Sequence, residues 1–263
     1  MENLRMYGNA PYGVAVVHGG PGAAGEMAPV AQELASLGGV LEPLQTATSL
    51  EGQMDELKTV IEQHGDIPIT LIGFSWGAWL CFLVAAHHPA LIKKLILVSS
   101  GGFQDADGAR TQQTRLQRLS PSERAELQSI SQVLDDPAAS DKNEAFARFG
   151  ALYARVDAYD LIAYDPDPMD YRLDIYRAVW ADAADMRRSG RLLEAGKHIQ
   201  CPVVAIHGDY DPHPADGVRK PLSSILQHFR FILLEKCGHM PWLERHARDA
   251  FYRILENELR RLA

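Results

Sequence analysis

Ile69-Thr-Leu-Ile-Gly73-Phe-Ser75-Trp-Gly77-Ala-Trp-Leu-Cys-Phe-Leu-Val84 is the stretch that decides how this chain is read. A short run of β-branched and apolar residues stops at Gly73, and after Gly77 an apolar stretch runs on to His88 without a turn residue. The first half reads as a buried strand and the second as a buried helix, apolar on nearly every face. Between them Gly73-Phe-Ser75-Trp-Gly77 fits G-x-S-x-G, in the strand-then-helix context where that pattern carries chemistry. A sharp strand-to-helix turn strains the backbone of the central serine and leaves no room for side chains at the flanking positions, hence the glycines. The turn lifts the Ser75 hydroxyl clear of the sheet, at a helix N-terminus where developing negative charge is favoured.

Working outward, the pattern predicts strands over residues 13–17, 40–44 and 95–98, a helix over about 24–37, and another over 49–63 with Ser49 as its N-cap. Strands alternating with amphipathic helices signal βαβ units and a parallel sheet. From Phe103 to Ile199 the β-rich runs vanish. Three helical stretches are expected there: one opening at the capping box Ser120-Pro-Ser-Glu123, one over 140–154 and one over 170–188. The alternating texture then resumes with a strand over 202–206, a helix over 216–227, a strand over 231–234 and a helix from Pro241 to about Leu262. The expected architecture is α/β, with a core in two parts, residues 1–102 and 200–263, and an all-helical cap at 103–199.

Composition narrows the function classes. Of 263 residues 46% are hydrophobic and 23% charged, which suits a soluble globular protein able to build a core without disulfide or metal staples. Thirty-four acidic residues against 26 basic ones give a formal charge of −8, so no general basic stripe is available to neutralise nucleic-acid phosphates. No apolar run approaches the roughly 20 residues that span a bilayer, and the first seven residues lack the apolar segment of a secretory leader. Cys81, Cys201 and Cys237 have no metal-ligand spacing. A cytoplasmic protein is expected, with no nucleic acid, membrane, metal or cofactor among its partners. Oligomeric state has no signature in the sequence.

A serine hydroxyl is a poor nucleophile at neutral pH and needs a base, which in turn needs an orienting acid. On this architecture the order along the chain is serine, acid, histidine. The strand ending at Ile206 runs into His207-Gly-Asp209-Tyr-Asp211-Pro-His213, so Asp209, Asp211 and the following Asp216 are candidate acids. The next strand ends in Glu235-Lys-Cys-Gly238-His239-Met240, which throws His239 into the same loop layer. His207 and His213 are weaker candidates for the base. Negative charge on the substrate carbonyl oxygen needs two preorganised N–H donors. One is the amide after the nucleophile, Trp76; the other comes from His18-Gly-Gly-Pro-Gly22, with Gly20 as the donor and Gly19 as the alternative.

Taken together, His18-Gly-Gly-Pro-Gly22, Gly73-Phe-Ser-Trp-Gly77, Gly208-Asp-Tyr-Asp211 and Gly238-His239 resemble the α/β-hydrolase superfamily. The four motifs span most of the chain in the right order. The resemblance implies a mostly parallel sheet flanked by helices, a helical lid, and Asp211, the last residue of G-x-x-D, as the acid beside Ser75 and His239. About six parallel strands are expected, because the segment before Gly13 leaves room for at most one short edge strand. Within the superfamily, HGGPG followed by a Ser-Trp-Gly elbow is similar to the proline iminopeptidase group, although Phe74 stands where that group usually carries glycine.

The implied function is a serine hydrolase cleaving small carboxylic esters or related acyl compounds, with an aminopeptidase of the iminopeptidase type, or a ligand-binding protein that has lost turnover, as alternatives. Carbon–carbon bond hydrolases and cofactor-free haloperoxidases use similar triads. Gly19, Phe74, Met240 and Trp180 are the expected substrate contacts. Eight aspartates, Asp157, Asp160, Asp165, Asp167, Asp170, Asp174, Asp182 and Asp185, are opposed between 157 and 185 by Arg172 and Arg177 alone. Such a cluster either holds a substrate ammonium or forms a solvated acidic face. Tyr159, Tyr164, Tyr171 and Tyr176 interleave with it and either line a pocket or pack the lid.

Overall fold

Seven runs too short for helices and rich in Val, Ile and Leu form one sheet in the computed structural model, which describes residues 3–163 and 169–261. The strands are β1 (Leu4–Tyr7), β2 (Tyr12–Val17), β3 (Gly39–Pro43), β4 (Ile69–Phe74), β5 (Ile92–Val98), β6 (Val203–Gly208) and β7 (Phe229–Leu234). Their spatial order is β1-β3-β2-β4-β5-β6-β7. Six strands run parallel, and the short β1 lies antiparallel to β3 at the edge. This is the trimmed sheet that the sequence predicts.

Alternation along the strands separates two buried layers. Leu71, Leu95 and Leu97 face α2 (Leu50–His64) and α3 (Trp76–His87), while Ile72, Ile96 and Val98 face α1 (Ala28–Leu34) and the C-terminal α10 (Arg248–Arg260). Residues 76–86 of α3 are all buried, as their uniform apolarity requires. Ser49 caps α2, its hydroxyl accepting from the Gly52 amide at 3.1 Å.

Register sets the position of the loops that follow the strands. Phe74 pairs with Val98, Val98 with Ile206, and Ile206 with Ile232. The segments after β4, β6 and β7 therefore leave the same edge of the sheet, the carboxyl edge at which open α/β sheets bind ligands.

Between β5 and β6 lie α4 (Asp105–Arg118), α5 (Pro121–Asp135), α6 (Lys142–Val156), α7 (Leu173–Arg188) and the short α8 (Arg191–Ala195); α9 (Asp216–Ile225) follows β6. The sequence pattern predicts three helical stretches here, which become α5, α6 and α7, and misses α4 and the short α8. Only Asp107 and Thr111 of that helix are buried, so it carries no apolar stripe. Leu119, Ile130, Ala145, Leu152 and Val156 give this region a small core of its own. It is tied to the Gly-rich loop by a two-residue antiparallel ladder, Ala23–Ala24 against Asp170–Tyr171, and by the Arg172 amide donating to Gly22 O at 2.8 Å. That ladder takes the place of the first turn predicted for α1. The helix predicted from Pro241 is instead a 3-10 turn, Pro241–Leu243, separated from α10. Tyr164, Asp165, Asp167 and Leu262 lie outside the described residues. Among those described, no helix is long and apolar enough to cross a membrane.

Candidate active site

Ser75 sits between β4 and α3 with φ 51° and ψ −111°, a left-handed conformation that costs a non-glycine residue of order 1–3 kcal/mol. The flanking glycines hold it there. A Cβ on Gly73 would stand 2.3 Å from Gly77 O, and one on Gly77 would stand 2.4 Å from His18 O. The turn thus packs directly on the backbone following β2. The Ser75 amide donates to Val98 O at 2.9 Å, which fixes the elbow to the neighbouring strand.

The loops after β6 and β7 bring Asp211 and His239 to this serine. His239 Nε2 lies 3.1 Å from Ser75 Oγ, and His239 Nδ1 lies 2.8 Å from Asp211 Oδ2. Of the candidate acids, Asp209 instead accepts from the Cys237 amide and Asp216 pairs with Arg219 and Lys220. The other oxygen of Asp211 accepts from the His213 amide at 2.9 Å and faces His213 Nδ1 at 2.8 Å. Burial alone would raise the Asp211 carboxyl, but His239, His213 and His207 around it hold it well below the usual carboxylate range. Burial likewise works against a charged His239, and the Asp211 carboxylate outweighs it, so the imidazole is more basic than usual. Burial dominates at His213 and pushes it down to about 4. Its ring stacks on His239 with centroids 4.6 Å apart. His207 orders the acid loop, its Nε2 donating to His213 O at 2.9 Å.

Asp211, His213 and His239 present potential metal-ligand atoms within 4.8 Å of one another. Both imidazoles, however, direct Nδ1 at the Asp211 carboxylate, so the three form a hydrogen-bonded cluster rather than an open ligand set.

Ser75, His239, Gly20 and Trp76 line a cavity of about 690 Å³ beneath the helices inserted after β5. Trp76 is the first residue of α3, where amides have no acceptor within the helix. Gly20 has φ 34° and its carbonyl accepts from Ala23 N, while its own amide has no acceptor among the described residues. The Gly19 amide is engaged, donating to Glu26 Oε2 at 3.1 Å. Gly19 is buried against Phe74 and is not among the residues that line the cavity. Phe74, Met240 and Trp180 do line it. Trp79 also lines the cavity and stacks on Trp180 with centroids 5.8 Å apart, and Trp180 stacks on Tyr176 at 6.1 Å.

The acidic stretch divides into pairs. Asp157 is held by Arg115, Asp174 by Arg172, Asp185 by Arg188 and Arg191, and Asp160 by Arg245; Asp182 accepts from the Leu50 amide. Asp170 is exposed. Tyr171 and Tyr176 line the cavity, whereas Tyr159 is exposed and packs on Tyr210.

Three features escape pattern reading. Glu26 lines the same cavity as Ser75, and burial pushes its carboxyl up to about 7. Asp157 O accepts from the His239 amide at 3.0 Å, which joins the inserted helices to the loop after β7. Arg118 of α4 reaches the acid loop, donating to Tyr210 O at 2.7 Å with its guanidinium over the Tyr210 ring. The local signal for α4 is electrostatic, Asp105 and Asp107 in its first turn with Arg115 and Arg118 in its last.

A search of curated proteins finds no match to the chain. Solved structures share its fold at low identity. VinJ is 20% identical with a TM-score of 0.70, covering 99% of this chain and 95% of that one. Proline iminopeptidase from Mycobacterium smegmatis is 17% identical with a TM-score of 0.65, covering 98% and 94%. Est816, described as an N-acyl homoserine lactone degrading enzyme, is 16% identical with a TM-score of 0.64, covering 97% and 95%. The family model described as "Alpha/beta hydrolase family" matches residues 14–254, from β2 into α10. With that match spanning both parts of the sheet and everything inserted between them, the chain belongs to the alpha/beta hydrolase family.

Proposed function

We propose that the protein is a serine hydrolase that cleaves small carboxylic esters or related acyl compounds through an acyl-enzyme. The observation that carries this reading is the placement of His239 between Ser75 Oγ at 3.1 Å and Asp211 Oδ2 at 2.8 Å. Ser75 Oγ attacks the carbonyl carbon while His239 Nε2 takes its proton. Asp211 holds the imidazole by Nδ1 and stabilises the imidazolium that forms. Negative charge on the carbonyl oxygen falls to the amides of Gly20 and Trp76, each such donor contributing roughly 2.7–4 kcal/mol to the barrier. Gly20 is preferred over Gly19 because the Gly19 N–H already serves Glu26. The C–O bond to the leaving group breaks, and the alcohol departs with the proton from His239. Water, activated by the same imidazole, then attacks the Ser75 ester and releases the acid.

A fluorophosphonate probe tests the reading. Native protein should be labelled and Ser75→Ala should not. Folded native protein that resists the probe would leave a ligand-binding protein without turnover. An aminopeptidase is the second reading, favoured by the Glu26 carboxyl lining the cavity without an ion-pair partner among the described residues. The acidic stretch lends it less support, since among its described residues the one that lines the cavity, Asp157, is bound by Arg115. Aryl esters set against prolyl anilides with free and acetylated amines separate the two, because an aminopeptidase requires the free ammonium.

A further inference from the structure

Arg187, near the end of α7, is a cation in the wall of the cavity without an ion-pair partner among the described residues. No hydrogen bond or ion pair is made by its guanidinium among the described residues, and its Nε is buried without a partner. Asp105 and Asp107 are near enough to favour its charge, yet burial prevails and makes the guanidinium less basic than usual. Asp107 is already committed, accepting from the Gln104 amide at 3.1 Å and facing Arg110 at 3.5 Å. The other cationic arginines of the wall are paired, Arg115 with Asp157 and Arg155 with Glu126.

The surroundings are shaped to the guanidinium. It lies 5.4 Å from the Trp79 ring centroid, a cation–π contact that orients it while leaving its N–H donors without acceptors. On the other side it packs against Gly108, where a Cβ would stand 2.7 Å from Nη2. Glycine within a helix costs about 1 kcal/mol against alanine, so α4 gives up stability at the position that makes room for this side chain. A buried donor without an acceptor is rare and costly, and a planar fork of N–H groups matches a carboxylate. One positive charge left unpaired among the described residues, in a wall that also carries Trp79, Trp180 and Tyr176, suits an apolar group ending in a monoanion rather than a multiply charged phosphate.

We infer that Arg187 is the anion-binding end of the cavity, and that the preferred acyl substrate carries a carboxylate remote from the bond cleaved at Ser75. This rests on the serine-hydrolase reading for its turnover arm, while its binding arm does not.

In the turnover arm, p-nitrophenyl monoesters of linear dicarboxylic acids, from succinate to sebacate, are compared with neutral acyl esters of equal length. The ratio of kcat/KM for carboxylated over neutral ester should exceed one and peak at one chain length. In Arg187→Gln that ratio should fall by roughly ten- to a hundredfold, the range of a hydrogen bond to a charged group. Arg187→Lys should retain part of it, and Gly108→Ala, which displaces the guanidinium, should lower it. A ratio unmoved by Arg187→Gln overturns the inference. In the binding arm, Ser75→Ala is titrated with free dicarboxylates while the fluorescence of Trp79 and Trp180 is followed. Saturable quenching that Arg187→Gln abolishes supports the site, even if no ester is turned over and the hydrolase reading fails. Esterase activity without such quenching retains the hydrolase reading and sinks this one.

Discussion

Replacing Glu26 by glutamine separates charge from shape at the edge of the cavity. The side chain is half-buried, its Oε2 accepts from the Gly19 amide at 3.1 Å, and glutamine can keep that bond through its amide oxygen. Burial raises the carboxyl from 4.5 to about 7, against the opposing pull of His239 and the Gly19 N–H. In the unfolded chain the proton is lost near pH 4.5, while the folded chain keeps it to about 7. Across that window the folded state binds more protons, so this group makes stability fall as pH rises, and its cost is complete above the folded value. The difference between 4.5 and about 7, at about 1.4 kcal/mol per pH unit, sets a ceiling of about 3.5 kcal/mol. Solvent screening of a partly exposed carboxyl reduces the expectation to about 1–2 kcal/mol. Glutamine does not titrate, and every other group is common to both proteins. Urea melts of native protein and Glu26→Gln should therefore coincide near pH 4 and diverge towards pH 8, with the variant the more stable. A difference that stays constant from pH 4 to 8 would refute the reasoning, because it would mean that the carboxyl titrates normally.

Other perturbations test the rest of the site. His239 must be neutral to accept the Ser75 proton, and the Asp211 carboxylate makes it more basic than usual, so kcat/KM should rise with pH through a value above 6.5. Asp211→Asn should lower activity by about 10⁴-fold and move that limb to lower pH; a limb that does not move would contradict the assigned geometry. Glu244 is fully buried and accepts from the amides of Tyr159, Asp160 and Gly238, each at 2.8 Å. Its replacement by alanine strands three donors and should cost about 3–5 kcal/mol in urea melts, with less than about 1 kcal/mol as the contrary result. Gly77→Ala places a Cβ 2.4 Å from His18 O and 2.5 Å from Val17 O, both backbone atoms that cannot swing away. It should destabilise the fold by about 1–3 kcal/mol and abolish fluorophosphonate labelling.

The residues that pattern reading finds share one property: each follows a strand. Ser75 comes directly after β4, Asp211 three residues after β6 and His239 five after β7, and parallel pairing delivers those strand ends to one edge. Local sequence is sufficient there because β-periodicity locates the strand and topology does the rest. The inserted helices obey no such rule. Helix α4 reaches Asp157 through Arg115 and Tyr210 through Arg118, polar side chains, so hydrophobic periodicity is blind to the element that braces both the acid loop and Asp157. The acidic stretch misleads for the same reason. Its density is a local property, but the partner of Asp157 lies 42 residues upstream and that of Asp160 lies 85 downstream. The charge the cavity presents is what remains after such long-range pairing is complete. Among the described residues it is carried by Glu26 and Arg187, two residues whose surrounding sequence marks neither, because being left unpaired is a property of the fold and not of the segment.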